Sequence, residues 1–194
     1  KERGLAMAAA AREHPGAMIA LLGASVERAA EIAGQFGLTV ANDNAPGQIV
    51  LTGEIAGVEA LEAEQPTTID DEGNERRLRM KRLPVSGAFH SPLVRSAATK
   101  LAEALSKARF GDASHVIANG TARPYVDPRN ELAAELLAPV RFRESLLYMW
   151  KIGVREFVEF EPAGVLTGLV KRTLPEARAL KISDLISATG EAGS

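Results

Sequence analysis

The chain has 194 residues, a formal net charge of -2, 46% hydrophobic residues and no cysteine. That length suits one large domain or two small ones with a real core, and the aromatic share of 5% makes the core aliphatic and alanine-rich. The charge balance offers nothing to nucleic acid or a membrane surface, and the missing cysteine excludes disulfides, thiolate metal sites and a cysteine nucleophile.

Arg3 to Arg12 is a helix former rich in alanine, stopped by Pro15-Gly16. Ala17 to Leu22 is a short apolar strand. Ser25 reads as a simple N-cap for a helix from Val26 to Phe36, with Gly37 where a C-cap glycine belongs. Thr39 to Ala41 starts a strand, Asn42 to Gly47 is a turn by composition, and Gln48 to Gly53 completes a hairpin. Ile55 to Glu64 is a helix, Gln65 to Glu75 a polar exposed loop, and Leu78 to Val85 a further strand. The order β-α-β-β-α-β over residues 16–85 is that of a ferredoxin-like unit.

From Val94 to Arg109 runs a long helix, then a strand at Val116 to Ala118 and helices at Glu131 to Leu137 and Phe142 to Ile152. Val154 to Phe160 alternates as a strand, Val165 to Arg172 is helical, and Leu180 to Ile182 is a last short strand before a fraying tail, residues 186–194. Strands alternating with helices predict a parallel α/β layer in this half. No apolar run reaches the ~18–20 residues of a membrane span, and no secretory signal is visible. A chain free of cysteine fits a reducing, cytoplasmic setting. Its opening at Lys1, directly in a helical pattern, reads as a piece of something longer.

The stretch Leu83 to Val94, LPVSGAFHSPLV, runs from an apolar strand into a tight turn with His90 at its tip. Imidazole titrates near neutral pH, so a histidine presented this way is a candidate general base. The alternative is a surface or capping histidine. His14 and His115 have no metal-ligand partners at useful spacing and read as surface residues; no metal site is expected. The basic run Arg76 to Arg82 is either a charged, protected edge strand or a docking surface for an acidic protein, together with Lys171 and Arg172.

Five stretches in order resemble the malonyl-CoA:acyl carrier protein transacylases, which share a fold with polyketide synthase acyltransferase domains: Arg3-Gly4, Asn42 to Gly53, Pro84 to Pro92, Pro139 to Phe142 and Glu159 to Arg172. The resemblance implies an α/β-hydrolase-like parallel-sheet subdomain, residues 1–15 and 86–185, with a ferredoxin-like subdomain, residues 16–85, inserted. It implies transfer of malonyl from malonyl-CoA to the phosphopantetheine thiol of acyl carrier protein in fatty acid synthesis, through a serine ester. The CoA thioester is substrate and no cofactor is implied.

By the same resemblance His90 is the catalytic base, and a backbone carbonyl at Arg141 orients its imidazole in place of a triad carboxylate. Arg3 holds the malonyl carboxylate, because a planar guanidinium grips both oxygens at once. Phe89, in wording close to HAFH, closes the space an α-methyl group needs; the alternative is a phenylalanine that packs under the turn. Asn42, Asn44 and Gln48 match polar hairpin positions facing the cleft, though asparagine in a turn also has an ordinary backbone explanation. Glu161-Pro162-Ala163-Gly164 departs from the family's commoner GPG wording. No GxSxG elbow occurs among the serines. The expectation is a C-terminal portion whose nucleophile lies in an N-terminal remainder, inactive by itself. The rivals are a polyketide synthase acyltransferase domain and a non-catalytic carrier-protein-binding module. An RNA-binding sheet is disfavoured, since strands 17–22, 48–53 and 78–85 carry no aromatics.

Overall fold

The central strand explains the first half of the molecule. In the computed structural model, which describes residues 1–69 and 73–190, β1 (Gly16–Leu22) is apolar on both faces and is buried along nearly all of its length. It pairs antiparallel with β3 (Gln48–Glu54) on one side and β6 (Arg79–Arg82) on the other, and β2 (Thr39–Ala45) closes the far edge, for a sheet order β2-β3-β1-β6. One face, through Ala17, Ile19, Leu21, Ile49 and Leu51, packs under α2 (Val26–Gln35) and α3 (Ile55–Glu64), which contribute Ile32, Val58 and Leu61. The other face, through Met18, Ala20, Ala41 and Val50, meets Leu83 and Phe89. Period-two alternation thus sends one set of β1 side chains into the small core and the other toward the histidine turn.

Ser25 caps α2 as expected, its hydroxyl accepting from the Arg28 amide at 3.1 Å, and Gly37 follows with φ +64. Three expectations change. Asn42 to Ala45 are strand, not turn: bulges between Val40 and Asn42 and between Asp43 and Ala45 absorb the polar run, leaving only Pro46-Gly47 to turn the chain. The exposed loop 65–75 contains a small hairpin, β4 (Thr67–Ile69) with β5 (Glu75–Arg77); the acidic residues 70–72 of that reading lie outside the described residues. And β6 ends at Arg82, because Leu83 still donates to the Met18 carbonyl at 2.9 Å but Val85 folds back on the Leu83 carbonyl at 2.8 Å.

The second half surrounds the turn. Helix α1 (Glu2–Glu13) packs on the long helix expected from Val94, α4 (Arg95–Ser106), which ends three residues early, and on the 3-10 turn at Pro92–Val94 that leads into it. A two-strand hairpin, β7 (Ile117–Ala118) with β8 (Arg123–Pro124), leads to α5 (Pro128–Ala134). That helix starts earlier than the apolar pattern suggests, because Asp127 accepts from the Asn130 amide and Pro128 fits the first helical position. Helix α6 (Phe142–Lys151), β9 (Glu156–Glu159), α7 (Leu166–Thr173) and β10 (Arg178–Lys181) follow, β9 and β10 being parallel as predicted. The tail is helical over α8 (Ile182–Gly190), opened by the Lys181 amide donating to Asp184 at 3.1 Å; residues 191–194 of the expected fraying tail lie outside the described residues. Among the described residues, no helix is long and apolar enough to cross a membrane.

Candidate active site

The turn that carries His90 is built by close approach. Pro15 bridges Gly87, and a side chain on Gly16 would put its Cβ 2.5 Å from the Ala88 Cβ and 2.8 Å from the Gly53 carbonyl oxygen. Only glycine lets β1 run this close beneath the turn. Above it, the buried Ser91 hydroxyl donates to the Ala88 carbonyl at 2.6 Å and accepts from the Leu93 amide at 3.2 Å. This locks His90 at φ +60, a left-handed backbone. A non-glycine residue pays about 1–3 kcal/mol for such a conformation, and residues held in it cluster at functional sites.

The imidazole is half-buried and directed. Its Nδ1 lies 3.0 Å from the Glu135 carbonyl oxygen and 2.9 Å from that of Ala138. Carbonyls only accept, so Nδ1 carries the proton in the neutral ring and Nε2 keeps its lone pair. Among the described residues Nε2 has no hydrogen-bond partner. The Glu135 carbonyl is free for a simple reason: its helical donor would be the amide of residue 139, and Pro139 has no N–H. A ring fixed by an acceptor on one nitrogen and open at the other can take a proton from a nucleophile and return it to a leaving group.

The orienting carbonyls are therefore not that of Arg141. The Arg141 carbonyl accepts from the Ser145 amide at 2.9 Å and the Ser145 hydroxyl at 3.0 Å, in the first turn of α6. The Arg141 side chain instead reaches Glu144 and, through Nη1, the carbonyls of Gly120 (3.5 Å) and Thr121 (3.4 Å). The motif Pro139 to Phe142 lies just after the two orienting residues, and any residue supplies a carbonyl, so side-chain identity could not locate them.

Phe89 packs into both the α1/α4 cluster and the outer face of the sheet, which supports the packing reading of that residue. Arg3 is exposed in the first turn of α1 and makes no ion pair among the described residues. Asn42 lies in β2 beside Val140: the Asp43 amide donates to the Val140 carbonyl at 2.9 Å and the Val140 amide to that of Ala41 at 2.8 Å. Segment 138–141 thus touches the hairpin and the histidine together. Asn44 is half-buried nearby on the same strand. Gln48 sits at the other end of the hairpin turn and accepts from Arg172 of α7 at 2.7 Å.

Sequence reasoning missed two carboxylates. Asp43, 6% exposed, meets Arg143 of α6, whose Nε is 2.9 Å from both carboxylate oxygens and whose Nη2 is 2.8 Å from Oδ2. The hydrogen bonds to Asp43 push the Arg143 guanidinium pKa up, though burial works against it. An aspartate within a run of turn-forming residues hides its role; Arg143 beside the PVRF motif was the only hint. Buried Glu159 closes the N-terminus of α7, accepting from the amides of Gly164 (2.8 Å), Leu166 (2.8 Å) and Thr167 (2.9 Å) and from the Thr167 hydroxyl. Burial raises its pKa, but these donors outweigh it and hold the carboxyl at about 2. Among the described residues no cluster of acidic or histidine side chains could hold a metal ion.

No protein-family model matches the chain. Individual proteins do. A malonyl CoA-acyl carrier protein transacylase of Bacillus subtilis is 35% identical over 193 residues, which are 95% of this chain and 59% of the relative. The chain is a homologue of the malonyl CoA-acyl carrier protein transacylases. Likeness to the transacylases extends to the fold: the solved acyl-carrier-protein-S-malonyltransferase of Bartonella henselae superposes with TM-score 0.81 at 32% identity, over 100% of this chain and 63% of that one. The polyketide biosynthesis protein ThaF of Burkholderia thailandensis is 35% identical over 182 residues, 91% of this chain and 15% of that protein. The chain spans three fifths or less of the curated transacylase relatives it matches.

Proposed function

We propose that this chain is the C-terminal portion of a malonyl-CoA:acyl carrier protein transacylase acting in cytoplasmic fatty acid synthesis. The observation that carries the reading is His90: strained, with Nδ1 held by two carbonyls and Nε2 open. In this reading residues 1–15 and 86–185 belong to an α/β-hydrolase-like subdomain, and residues 16–85, with their β2-β3-β1-β6 order, form the ferredoxin-like insert.

The nucleophile of the resembled family is a serine, and this chain has no serine on a GxSxG elbow. It is supplied by an N-terminal segment outside this sequence, so the chain alone forms no acyl-enzyme. His90 Nε2 takes the serine proton as Oγ bonds to the thioester carbon. Collapse of the tetrahedral adduct breaks the C–S bond, and the CoA thiolate leaves with that proton. In the second half-reaction His90 takes the proton of the carrier protein's phosphopantetheine thiol, the sulfur attacks the ester, and the serine is released protonated. Arg3, exposed and without an ion pair among the described residues, pairs with the malonyl carboxylate. Phe89 crowds out an α-methyl group, a discrimination worth about 1–3 kcal/mol. Asn42, Asn44 and the basic residues near Arg172 border the entry for the acyl chain and the acidic carrier protein.

Intact mass before and after incubation with malonyl-CoA tests this. The expected result is no adduct on these 194 residues and one malonyl group on a longer parent, lost on His90→Ala or Arg3→Ala. A parent that takes no malonyl sinks the reading. The likeness to ThaF favours a second reading, malonyl loading in polyketide assembly, and the two differ in which carrier protein accepts the group.

A further inference from the structure

We propose that Glu135 positions the catalytic histidine with both of its ends, its carbonyl holding the imidazole and its carboxylate, braced by Tyr125, holding the carbonyl. The inference rests on the reading of His90 as the base. Glu135 follows the last turn of α5, where backbone carbonyls lack helical donors and the chain has freedom to shift. Its carbonyl is nevertheless 3.0 Å from His90 Nδ1. What stops it from moving is its side chain. Glu135 Oε1 accepts from the Tyr125 hydroxyl at 2.9 Å and from the Gly120 amide at 3.4 Å.

Both donors come from the β7–β8 hairpin and its exit, which is itself tied down. The Arg141 amide donates to the Asn119 carbonyl at 2.9 Å, the Arg141 guanidinium reaches the Gly120 and Thr121 carbonyls, and the Tyr125 amide donates to the Val116 carbonyl at 3.0 Å. The hairpin also runs close beside the orienting residues: a Cβ on Gly120 would stand 3.3 Å from the Glu135 Cγ and 3.6 Å from the Ala138 Cβ. Burial, and then the bond to Glu135, push the Tyr125 phenol pKa up, so the hydroxyl stays a donor. Thus the two residues whose carbonyls meet Nδ1 are backed by one hairpin, and Arg141 contributes through its guanidinium. Glu135 and Tyr125 are positioning residues: neither side chain reaches the reacting atoms, and each acts through the direction of one carbonyl.

The consequence is a single ring tautomer, read directly by nitrogen-15 NMR of the His90 ring at alkaline pH, with His90→Ala assigning its signals among the three histidines. The wild-type chain is expected to show the Nδ1–H form alone. Glu135→Gln keeps an acceptor for both donors and should preserve that form. Glu135→Ala removes the brace and Tyr125→Phe removes the shorter of its two hydrogen bonds, and the tautomer ratio should fall about two- to tenfold, the equivalent of one ordinary hydrogen bond. The melting temperature of Tyr125→Phe should change little, which separates loss of orientation from loss of fold. A mixed tautomer in the wild type, or a single tautomer retained in folded Glu135→Ala or Tyr125→Phe, overturns the proposal. Should Glu135→Ala not fold, Tyr125→Phe decides alone. Since the readout needs no malonyl-CoA, a failed malonyl adduct would sink the transacylase reading without touching this result. In the complete enzyme the same variants should lower kcat with KM kept, and Glu135→Gln should restore it.

Discussion

In the sheet region, residues 16–82, the largest side chains bury one another: Ile19, Leu21, Ile49, Leu51 and Leu61 are each at most 1% exposed. In the surrounding region Phe160 is 73% and Val165 69% exposed, and the parallel strands β9 and β10 stand as a pair. The first region is closed around its own core. The second has two smaller apolar clusters, one between α1 and α4 and one around Leu146, Val170 and Leu174, and its turns are held by side chains that grip backbone: Ser91 on Ala88, Glu135 on Gly120, Glu159 on the amides of α7. Two strands with an open face bury too little to be stable alone, whereas four with two helices over them suffice. Stability and site precision therefore sit in different places, and segment 138–141 with the Asp43–Arg143 pair joins them.

That division can be attacked where it is strongest. Leu51→Ala should cost about 2–5 kcal/mol through the cavity it leaves in the sheet core. Hydrogen exchange should show protection lost first at β1 and β3 and later at α6 and α7; equal loss everywhere would mean one cooperative unit. Arg143→Ala leaves the buried Asp43 carboxylate unpaired, for a loss of about 3 kcal/mol. It should also split the thermal transition in two, and a single unchanged transition would show that the pair is no joint.

Gly16→Ala tests how the sheet supports the histidine. The added methyl meets the Ala88 Cβ and the Gly53 carbonyl, and such overpacking costs about 1–3 kcal/mol. The His90 ring signals should move even where the fold survives. The smallest effect is confined to the second region. Glu159 has a carboxyl pKa near 2 against an ordinary 4.5, so its stabilising contribution is complete above about pH 4.5 and is lost as pH falls through about 2. Glu159→Gln should flatten this acid limb, read by near-ultraviolet circular dichroism of the Trp150 and Phe157 cluster, and leave the sheet region's acid response as it was.

Much of the first region was legible because its signals are local. The apolar run 17–22, the serine cap at Ser25 and the glycine at Gly37 each act within a few residues. The polar run 42–45 misled, because composition predicts a turn while bulged pairing with β3 makes it a strand. In the second region the turn at His90 was legible as a motif. The carbonyls that orient it were not, nor was Asp43 as the partner of Arg143, one hundred residues further along the chain.

What the amino-acid order determined by itself is the order of the longer helices and strands in each half, though not the short hairpin β4–β5, strand β8 or helix α8, together with the presentation of His90 and the likeness to the transacylases, since each depends on periodicity, capping or wording over short spans. What only the tertiary structure decided is which acceptors face Nδ1 and what holds them. A carbonyl is the same atom in every residue, so its role is set by where the chain passes: Pro139 leaves the Glu135 oxygen free, and the β7–β8 hairpin brings Tyr125 and Gly120 to keep it there.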